Sequence, residues 1–302
     1  MNKQSHIVIT GASSGIGAEL AQALAAEGHA LYLCARRAEA LNEITRNNTL
    51  AFGFACDVSC EEQVKEFVSQ IQTKTPHVDA LINCAGGFGA IGIVPETDSR
   101  EWLRTIEVNL YGTYLMTKHI VPLMVSERHP RIINFSGGGA FSPFPNYSAY
   151  AVSKAAVVRL TENLALELGP LGITVNAVAP GFVVTQIHQA TLRVGREKAG
   201  DEHFEHTLQK LSEGAVPIEV PVACVCFLLS EQARGLTGKT ISASFDPWAS
   251  PVFQEQIPDL NQSELYTMRR INLVNLSEGP LRTDLSAASD QKESFLKNYL
   301  DR

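Results

Sequence analysis

Two side chains near the middle of the chain, Tyr150 and Lys154, have the types and spacing to move a proton together. Residues at positions i and i+4 lie on the same face of a helix, so the phenol and the ammonium can point into one cleft. A phenol with its usual pKa of about 10 is a poor base at neutral pH, and a neighbouring cation lowers that pKa because it favours the phenolate. The pair therefore predicts a tuned acid/base on a helix.

A glycine-rich turn near the start of the chain could hold the partner of that chemistry. Gly11, Gly15 and Gly17 follow an apolar run with G-x-x-x-G-x-G spacing, which differs from the common G-x-G-x-x-G fingerprint. Small residues let backbone N–H groups approach a pyrophosphate, and the following helix presents its positive end to the same group. The turn alone also suits a connection with no ligand; together with the Tyr–Lys pair it predicts a dinucleotide site.

Short apolar runs alternate with longer amphipathic stretches along most of the chain. Strands are predicted at 6–10, 30–35, 50–55, 79–83, 131–136, 173–178 and 240–244. Helices are predicted at 15–27, 38–47, 61–74, 99–126, 148–168 and 220–230. This alternation indicates βαβ units and predicts an α/β protein with a doubly wound parallel sheet, whose ligands bind at the carboxyl ends of the strands.

The alternation stops after Trp248, and the remaining segment contains Pro251, Pro258 and Pro280. We expect residues 1–248 to form one dinucleotide-binding and catalytic domain and residues 249–302 to form a C-terminal appendage.

Bulk composition excludes several classes of protein. The 302 residues are 45% hydrophobic and 19% charged, as in ordinary globular proteins, and the net charge of -7 argues against a nucleic-acid or anionic-membrane binder. The N-terminus leaves no room for a signal peptide before the first apolar strand, and no run of apolar residues is long enough to span a membrane. The six cysteines have no zinc-site spacing and suit reduced thiols, so we expect a cytoplasmic protein without a metal.

Further segments complete a family pattern. Residues 10–17 are followed in order by Asp57 and Val58, by the segment 83–86, by Asn109, by the Tyr–Lys pair and by the segment 180–185. With these segments the chain resembles the short-chain dehydrogenase/reductase family over residues 5–248. The resemblance implies a Rossmann fold, NAD(P)-dependent interconversion of an alcohol and a carbonyl on a small molecule, and a homodimer or homotetramer built on the helices near 99–126 and 148–168.

The resemblance also implies which residues contact the cofactor. Asp57 and Val58 would contact the adenine, Asn83, Ala85 and Gly86 would line the ribose side, and Val183 and Thr185 would hold the nicotinamide carboxamide. The complete set of implied cofactor contacts is Gly11, Ser13, Ser14, Gly15, Ile16, Gly17, Arg36, Arg37, Asp57, Val58, Asn83, Ala85, Gly86, Tyr150, Lys154, Pro180, Gly181, Val183 and Thr185. Cys84 stands where the family commonly has Asn.

The end of the second predicted strand bears on cofactor choice. An NAD site needs an acid there for the ribose 2′-hydroxyl, whereas a 2′-phosphate needs an arginine. Ala35 stands at about the position of that acid, and Arg36 and Arg37 follow it. A guanidinium pairs well with a phosphate, although two arginines at a helix start can also be merely solvated. NADP is therefore favoured over NAD.

By resemblance the catalytic group would be Asn109, a serine, Tyr150 and Lys154. Tyr150 would exchange a proton with the substrate oxygen, Lys154 would lower the phenol pKa and bind the nicotinamide ribose, and Asn109 would hold a water that links Lys154 to solvent. The family places its serine thirteen residues before the tyrosine, and in this chain that position is Gly137.

Three replacements for this serine are open. Ser136 is one residue early, and on an extended strand one step turns the side chain to the opposite face, but the following glycines could break that alternation. Ser142 or the substrate itself could supply the donor. Backbone N–H groups of Gly137 and Gly138 could form an oxyanion-type pocket.

The most direct interpretation is an NADP(H)-preferring oxidoreductase that interconverts a secondary alcohol and a carbonyl. The family resemblance implies that residues 185–217 close over the substrate, and their polar members, His188, Arg193, Arg196, His203 and His206, suit a small polar substrate. A pair of solvated amphipathic helices is the alternative interpretation of this segment. Two alternatives for the activity stay open: a dinucleotide-binding regulatory protein with impaired turnover, and an epimerase or dehydratase without net cofactor use.

Overall fold

The computed structural model describes residues 4–269, and within them seven parallel strands form one sheet with the order β3-β2-β1-β4-β5-β6-β7. The strands are β1 His6–Thr10, β2 Ala30–Ala35, β3 Ala51–Ala55, β4 Ala80–Asn83, β5 Arg131–Phe135, β6 Thr174–Ala179 and β7 Thr240–Ser242. Each corresponds to a predicted strand. The prediction of a doubly wound parallel sheet is confirmed.

Helices connect these strands and follow the last one. They are α1 Gly15–Ala26, α2 Asn42–Asn47, α3 Glu61–Gln72, α4 Ser99–Ile106, α5 Gly112–Ile120, α6 Ser148–Leu168, α7 Gln186–Ala199, α8 Asp201–Glu213, α9 Glu219–Leu229, α10 Pro251–Glu255 and α11 Ile257–Gln262. A kink at Gly195, whose φ is 78°, divides α7.

The strand order reverses at β1, and this reversal positions the site. Thr10 at the end of β1 is in register with Cys34 of β2 on one side and with Asn83 of β4 on the other. The connections that leave β1 and β4 therefore run to opposite sides of the sheet. Such a switch point opens a crevice at the carboxyl ends of the strands, where ligands of this class of sheet bind.

Both faces of the sheet are buried, because β1 alternates its side chains between two hydrophobic clusters. Ile7 and Ile9 belong to the cluster that includes residues of α1 and α9, whereas Val8 belongs to the cluster that includes residues of α3, α5 and α6. A parallel sheet with helices on both faces has mostly apolar strands, and polar exceptions such as Asn134 and Asn176 are buried and hydrogen-bonded here.

The predicted helix over 99–126 is interrupted. A π-helical turn, Glu107–Tyr111, lies between α4 and α5 and contains the buried Asn109. Immediately after it, Gly112 packs so closely on Val58 that a Cβ at Gly112 would lie 2.6 Å from a methyl carbon of Val58. The amphipathic pattern continues through such a turn, so the sequence indicated one helix.

Residues beyond 248 continue to build the core. The described residues up to Thr267 form one compact unit, and Phe253 of α10 with Ile257 and Leu260 of α11 are buried in the cluster that contains Ile7 and Ile9. The division into residues 1–248 and 249–302 stays a prediction, and residues 270–302 of the appendage lie outside the described residues. Among residues 4–269, no helix combines the length and hydropathy needed to cross a membrane.

Candidate active site

A cavity of about 1740 Å³ lies where the carboxyl ends of the strands meet. Its walls come from the segments that follow β1, β2, β3, β4, β5 and β6, and from α6 and α7. The predicted site residues that line it are Gly11, Ser13, Ser14, Gly15, Ile16, Arg36, Asp57, Val58, Ala85, Gly86, Asn109, Ser136, Tyr150, Lys154, Pro180, Gly181, Val183 and Thr185. The cavity exceeds the range of about 300–1,000 Å³ that is usual for small ligands, which leaves room for a dinucleotide together with a substrate.

The glycine-rich turn is built on close backbone approach. A Cβ at Gly11 would lie 2.8 Å from the Cα of Ala85, and a Cβ at Gly17 would lie 2.5 Å from the carbonyl oxygen of Gly11. Gly11 and Gly15 also have φ values of 67° and 55°, which side chains other than glycine rarely adopt. The backbone N–H of Ala85 donates to Thr10 Oγ1 at 3.0 Å, which joins the ends of β1 and β4.

The same turn fits a dinucleotide phosphate. Helix α1 begins at Gly15, and the N–H groups of a first helical turn have no acceptor within their helix. Its N-cap residue, Ser14, makes no side-chain capping bond, and Ser13 to Ile16 line the cavity. Free N–H groups and a positive helix end are the donor set that phosphate oxygens require.

Three predicted cofactor residues do not line the cavity. Gly17 packs inside the turn, and Arg37 is exposed outside the cavity lining. The side chain of Asn83 points into the protein, where its Nδ2 donates to Asn134 Oδ1 at 2.9 Å and to Thr117 Oγ1 at 3.4 Å. These contacts support a structural role for Asn83, and its predicted ribose contact receives no support from this placement.

Arg36 and Asp57 both line the cavity, but only Asp57 is paired with other residues of the described chain. Arg36 is exposed and lines it, and within residues 4–269 its guanidinium makes no hydrogen bond or ion pair. Asp57 is already engaged, because its carboxylate accepts from the N–H and hydroxyl of Ser59 and pairs with the guanidinium of Arg104. Burial opposes its charged form, but these hydrogen bonds and the Arg104 charge lower the pKa of Asp57. Arg104, a partner that the sequence did not reveal, thereby orients Asp57.

Tyr150 and Lys154 lie side by side on α6, both 6% exposed. The Lys154 Nζ donates to the carbonyl of Phe135 at the end of β5 at 2.8 Å and lies 5.8 Å from the centroid of the Tyr150 ring. The role of Lys154 in lowering the Tyr150 pKa stays a prediction. Burial raises the pKa of Tyr150, and burial lowers the pKa of Lys154 to about 8.

Asn109 uses its side chain to fix a neighbouring loop. Its Oδ1 accepts from the N–H of Gly87 at 3.0 Å, and its Nδ2 donates to the carbonyl of Gly87 and to Ser153 Oγ, both at 2.9 Å. A Cβ at Gly86 would lie 3.1 Å from Asn109 Oδ1 and 3.4 Å from Lys154 Nζ. Both polar atoms thus border the same small space, and the predicted water link between Asn109 and Lys154 stays a prediction.

Because Gly137 has no side chain, the Tyr150 hydroxyl can lie directly beside its Cα. A Cβ at Gly137 would lie only 2.1 Å from the Tyr150 hydroxyl oxygen, whereas a Cβ at Gly138 would meet nothing closer than 3.9 Å. Ser136 is 2% exposed and lines the cavity, and its Oγ has no hydrogen-bond partner among the described residues. The N–H groups of Gly137, Gly138 and Gly139 also donate no hydrogen bond within residues 4–269.

An aromatic group that sequence reasoning missed faces the phenol. The Phe88 ring meets Tyr150 edge to face, with centroids 4.8 Å apart, and Phe144 stacks on Tyr147 at 4.3 Å. Asn109 holds Gly87, and a Cβ at Gly89 would clash with Thr105, so the backbone on both sides of Phe88 is fixed. The only sequence signal was an aromatic residue between two glycines directly after the predicted ribose segment.

Comparison with known proteins agrees with this geometry. The family model for short chain dehydrogenase matches residues 5–193. The chain is 34% identical over 248 residues to a putative ketoacyl reductase of the granaticin polyketide synthase from Streptomyces violaceoruber, a match that covers 78% of this chain and 90% of that protein.

Two solved structures show the same similarity. A variant of actinorhodin polyketide ketoreductase with NADPH superposes with a TM-score of 0.71 at 30% identity, covering 79% of this chain and 95% of that one. A 3-ketoacyl-(acyl-carrier-protein) reductase from Brucella melitensis with NADH gives a TM-score of 0.68 at 27% identity, covering 79% and 96%.

The contact between Gly137 and Tyr150 predicts that alanine substitutions at two adjacent glycines have different effects on the free energy of unfolding. Gly137→Ala should destabilise the fold by about 1–3 kcal/mol because its Cβ overpacks the phenol, whereas Gly138→Ala should change stability by less than about 0.5 kcal/mol. In a Tyr150→Phe background, which removes the hydroxyl oxygen, Gly137→Ala should cost less. Urea unfolding of the four variants and the wild type measures this coupling. Equal costs for Gly137→Ala in both backgrounds would contradict the shared space.

Because Lys154 is buried, we predict that removing its ammonium group stabilises the protein at neutral pH. A shift from a pKa of 10.5 to about 8 corresponds to about 3 kcal/mol of destabilisation. Below pH 8 this penalty is complete; it declines between pH 8 and 10.5, because the folded chain loses the proton in this range while the unfolded chain retains it, so stability rises with pH. Lys154→Met also leaves the Phe135 carbonyl unpaired, at about 1 kcal/mol, so its net gain should be about 2 kcal/mol at pH 7.

Urea unfolding of Lys154→Met and wild type between pH 6 and pH 10 checks this sign. Lys65→Met, at an exposed position, is the control and should change stability little. A Lys154→Met variant that is less stable than wild type at pH 7 would show that the ammonium is favourably solvated.

Proposed function

Because the chain belongs to the short-chain dehydrogenase family, we propose that it is an NADP(H)-preferring oxidoreductase that interconverts a secondary alcohol and a carbonyl on a small polar substrate. The observation that carries this proposal is the placement of Tyr150 and Lys154 in the cavity that the glycine-rich turn also lines. This placement supports chemistry in which a proton donor acts next to a bound dinucleotide. A bound nicotinamide would supply or accept the hydride.

In this proposal Tyr150 is the acid/base. Its raised pKa keeps the phenol protonated at neutral pH, which suits donation of a proton to a carbonyl oxygen. Lys154, whose pKa of about 8 lies close to neutrality, would hold the ribose and polarise the phenol once the substrate excludes water.

We assign the missing serine's role to Ser136. Ser136 lines the cavity, and its Oγ is buried without a hydrogen-bond partner among the described residues, so the hydroxyl is available to a substrate oxygen that comes within reach. Buried polar atoms are rarely left unpaired, which supports an external partner here. The unbonded N–H groups that follow could add donors to the same oxygen.

The NADP preference rests on Arg36. Its guanidinium lines the cavity at the end of β2 and is unpaired within residues 4–269, so it is available to a 2′-phosphate. One of the two related structures is a complex with NADPH and the other a complex with NADH, so the family alone leaves the cofactor open.

We also propose that the protein is a homo-oligomer and that it is cytoplasmic. A homodimer or homotetramer on the helices α4 to α6 is supported by exposed apolar side chains there, namely Leu103, Tyr111, Tyr114, Val152 and Leu166. A cytoplasmic location is supported by the six cysteines, all of which are free.

The activity is tested by near-ultraviolet absorbance of NADP⁺, and separately of NAD⁺, with purified protein and a fractionated pool of alcohols and polyols. Reduced cofactor should form with wild type, and Tyr150→Phe should lower the rate by about 10²–10⁴ while NADPH still binds. Tyr114→Phe, at an exposed position, should keep the wild-type rate. Tight NADPH binding without turnover would favour the regulatory alternative, and product isomers without cofactor change would favour an epimerase.

Cofactor choice is tested with two neighbouring arginines. Arg36→Ala should weaken NADPH binding by about 10- to 100-fold, because it removes charge-assisted hydrogen bonds to the phosphate, and should change NADH binding little. Arg37→Ala, outside the cavity lining, should have a smaller effect on both. Calorimetric titration measures the four affinities. An equal loss for NADPH and NADH in Arg36→Ala would refute the assignment.

A further inference from the structure

Two histidines in the cavity wall have polar atoms that no described residue satisfies. His188 on α7 is 7% exposed, and its Nδ1 is buried without a hydrogen-bond partner among residues 4–269. His203 on α8 is half-buried, and its Nε2 is likewise buried and unpartnered within the described part of the chain. Because buried polar groups are nearly always paired, two such imidazoles lining one cavity indicate a partner from outside the protein.

Helix α7, which carries His188, is fixed to the start of α6. Tyr147 and Thr191 are fully buried and share a hydrogen bond of 2.9 Å between their hydroxyls. Asn146 Nδ2 donates to the carbonyl of Lys198 at 2.8 Å. Tyr147 is the N-cap residue of the helix that carries Tyr150, so the His188 imidazole is held in place relative to the phenol. Such preorganisation favours binding because less freedom is lost.

Aromatic rings connect the two imidazoles to Tyr150. The Phe88 ring meets His188 and His203 edge to face, with centroids 5.8 Å and 6.3 Å apart, and meets Tyr150 at 4.8 Å. His203 also contacts the stacked rings of Phe144 and Tyr147, at 4.7 Å and 4.8 Å. The cavity wall beside the phenol is therefore apolar and aromatic, with two unpaired polar nitrogens in it.

Both imidazoles are neutral at pH 7. Burial and then the neighbouring histidines lower the pKa of His188 to about 4, and burial and His206 lower the pKa of His203 to about 4. A neutral imidazole has one donor and one acceptor nitrogen, and an alcohol hydroxyl can serve both, whereas a carboxylate only accepts. The two groups are therefore matched to hydroxyls.

We propose that His188 and His203 bind the hydroxyl groups of an uncharged ring that carries the reacting carbonyl or alcohol and packs its apolar face on Phe88 and Phe144. This inference rests on the proposed function, because it places the ring beside Tyr150. An anionic substrate would instead use Arg193, which lines the same cavity from the exposed side of α7.

The test compares three ketones with NADPH: cyclohexanone, a hydroxycyclohexanone and an oxocyclohexanecarboxylate. Wild type should prefer the hydroxylated ketone over cyclohexanone by about tenfold in kcat/KM. His203→Phe keeps an aromatic ring but removes both nitrogens, and it should abolish this preference. His203→Gln should keep part of it. Leu208→Phe, at an exposed position on the same helix and outside the cavity lining, is the control and should retain the wild-type preference.

A second measurement separates the failure of this subsite from the failure of the proposed activity. Saturation-transfer NMR with cyclohexanediol and cyclohexanol detects binding without turnover, and the diol signal should be lost in His203→Phe only. Turnover with the same preference in wild type and His203→Phe would overturn the subsite and leave the activity standing. Diol binding that depends on His203, without turnover of any ketone, would support the subsite and overturn the activity. A preference for the carboxylate would overturn the subsite in favour of Arg193.

Discussion

The close approach of three backbone segments at the end of β1 is the constraint on which the rest of the site depends. Gly11 lies against Ala85, and Gly17 lies against the carbonyl of Gly11, at distances that leave no room for a Cβ. The strands β1 and β4 and the start of α1 can therefore converge at the point where the strand order reverses. This convergence opens the cavity and directs the free N–H groups of a helix start toward it.

Burial decides the chemistry of the two central side chains. An exposed phenol and ammonium at this spacing would keep nearly ordinary pKa values, but enclosure by β5, Phe88 and the turn after β4 disfavours both charged forms. The phenol therefore retains its proton, and the pKa of Lys154 moves toward neutral pH. This desolvation destabilises the fold, and it is the kind of cost that proteins accept at functional sites. The contact of Lys154 with the Phe135 carbonyl recovers part of it.

The change at Gly137 is coupled to the rest of the cavity. The Tyr150 hydroxyl takes the volume that a side chain at position 137 would need, and Phe88 packs edge-on against the same ring. Asn109 and Thr105 hold the backbone around Phe88, so the phenol is confined from both sides. Gly137 therefore lies in a cavity wall in which Ser136 and the histidines of α7 and α8 carry polar atoms that have no partner among the described residues.

The sequence by itself determined the features that depend on local spacing. The alternation of apolar runs and amphipathic stretches indicated all seven strands, and the i, i+4 spacing and the glycine pattern indicated Tyr150, Lys154 and the cofactor turn. Only the tertiary structure decided the sign of the Tyr150 pKa shift, the inward orientation of Asn83, the pairing of Arg104 with Asp57 and the meeting of Phe88 with His188 and His203. Desolvation and side-chain contact depend on residues that are distant along the chain, whereas secondary structure and backbone turns are largely encoded by near neighbours.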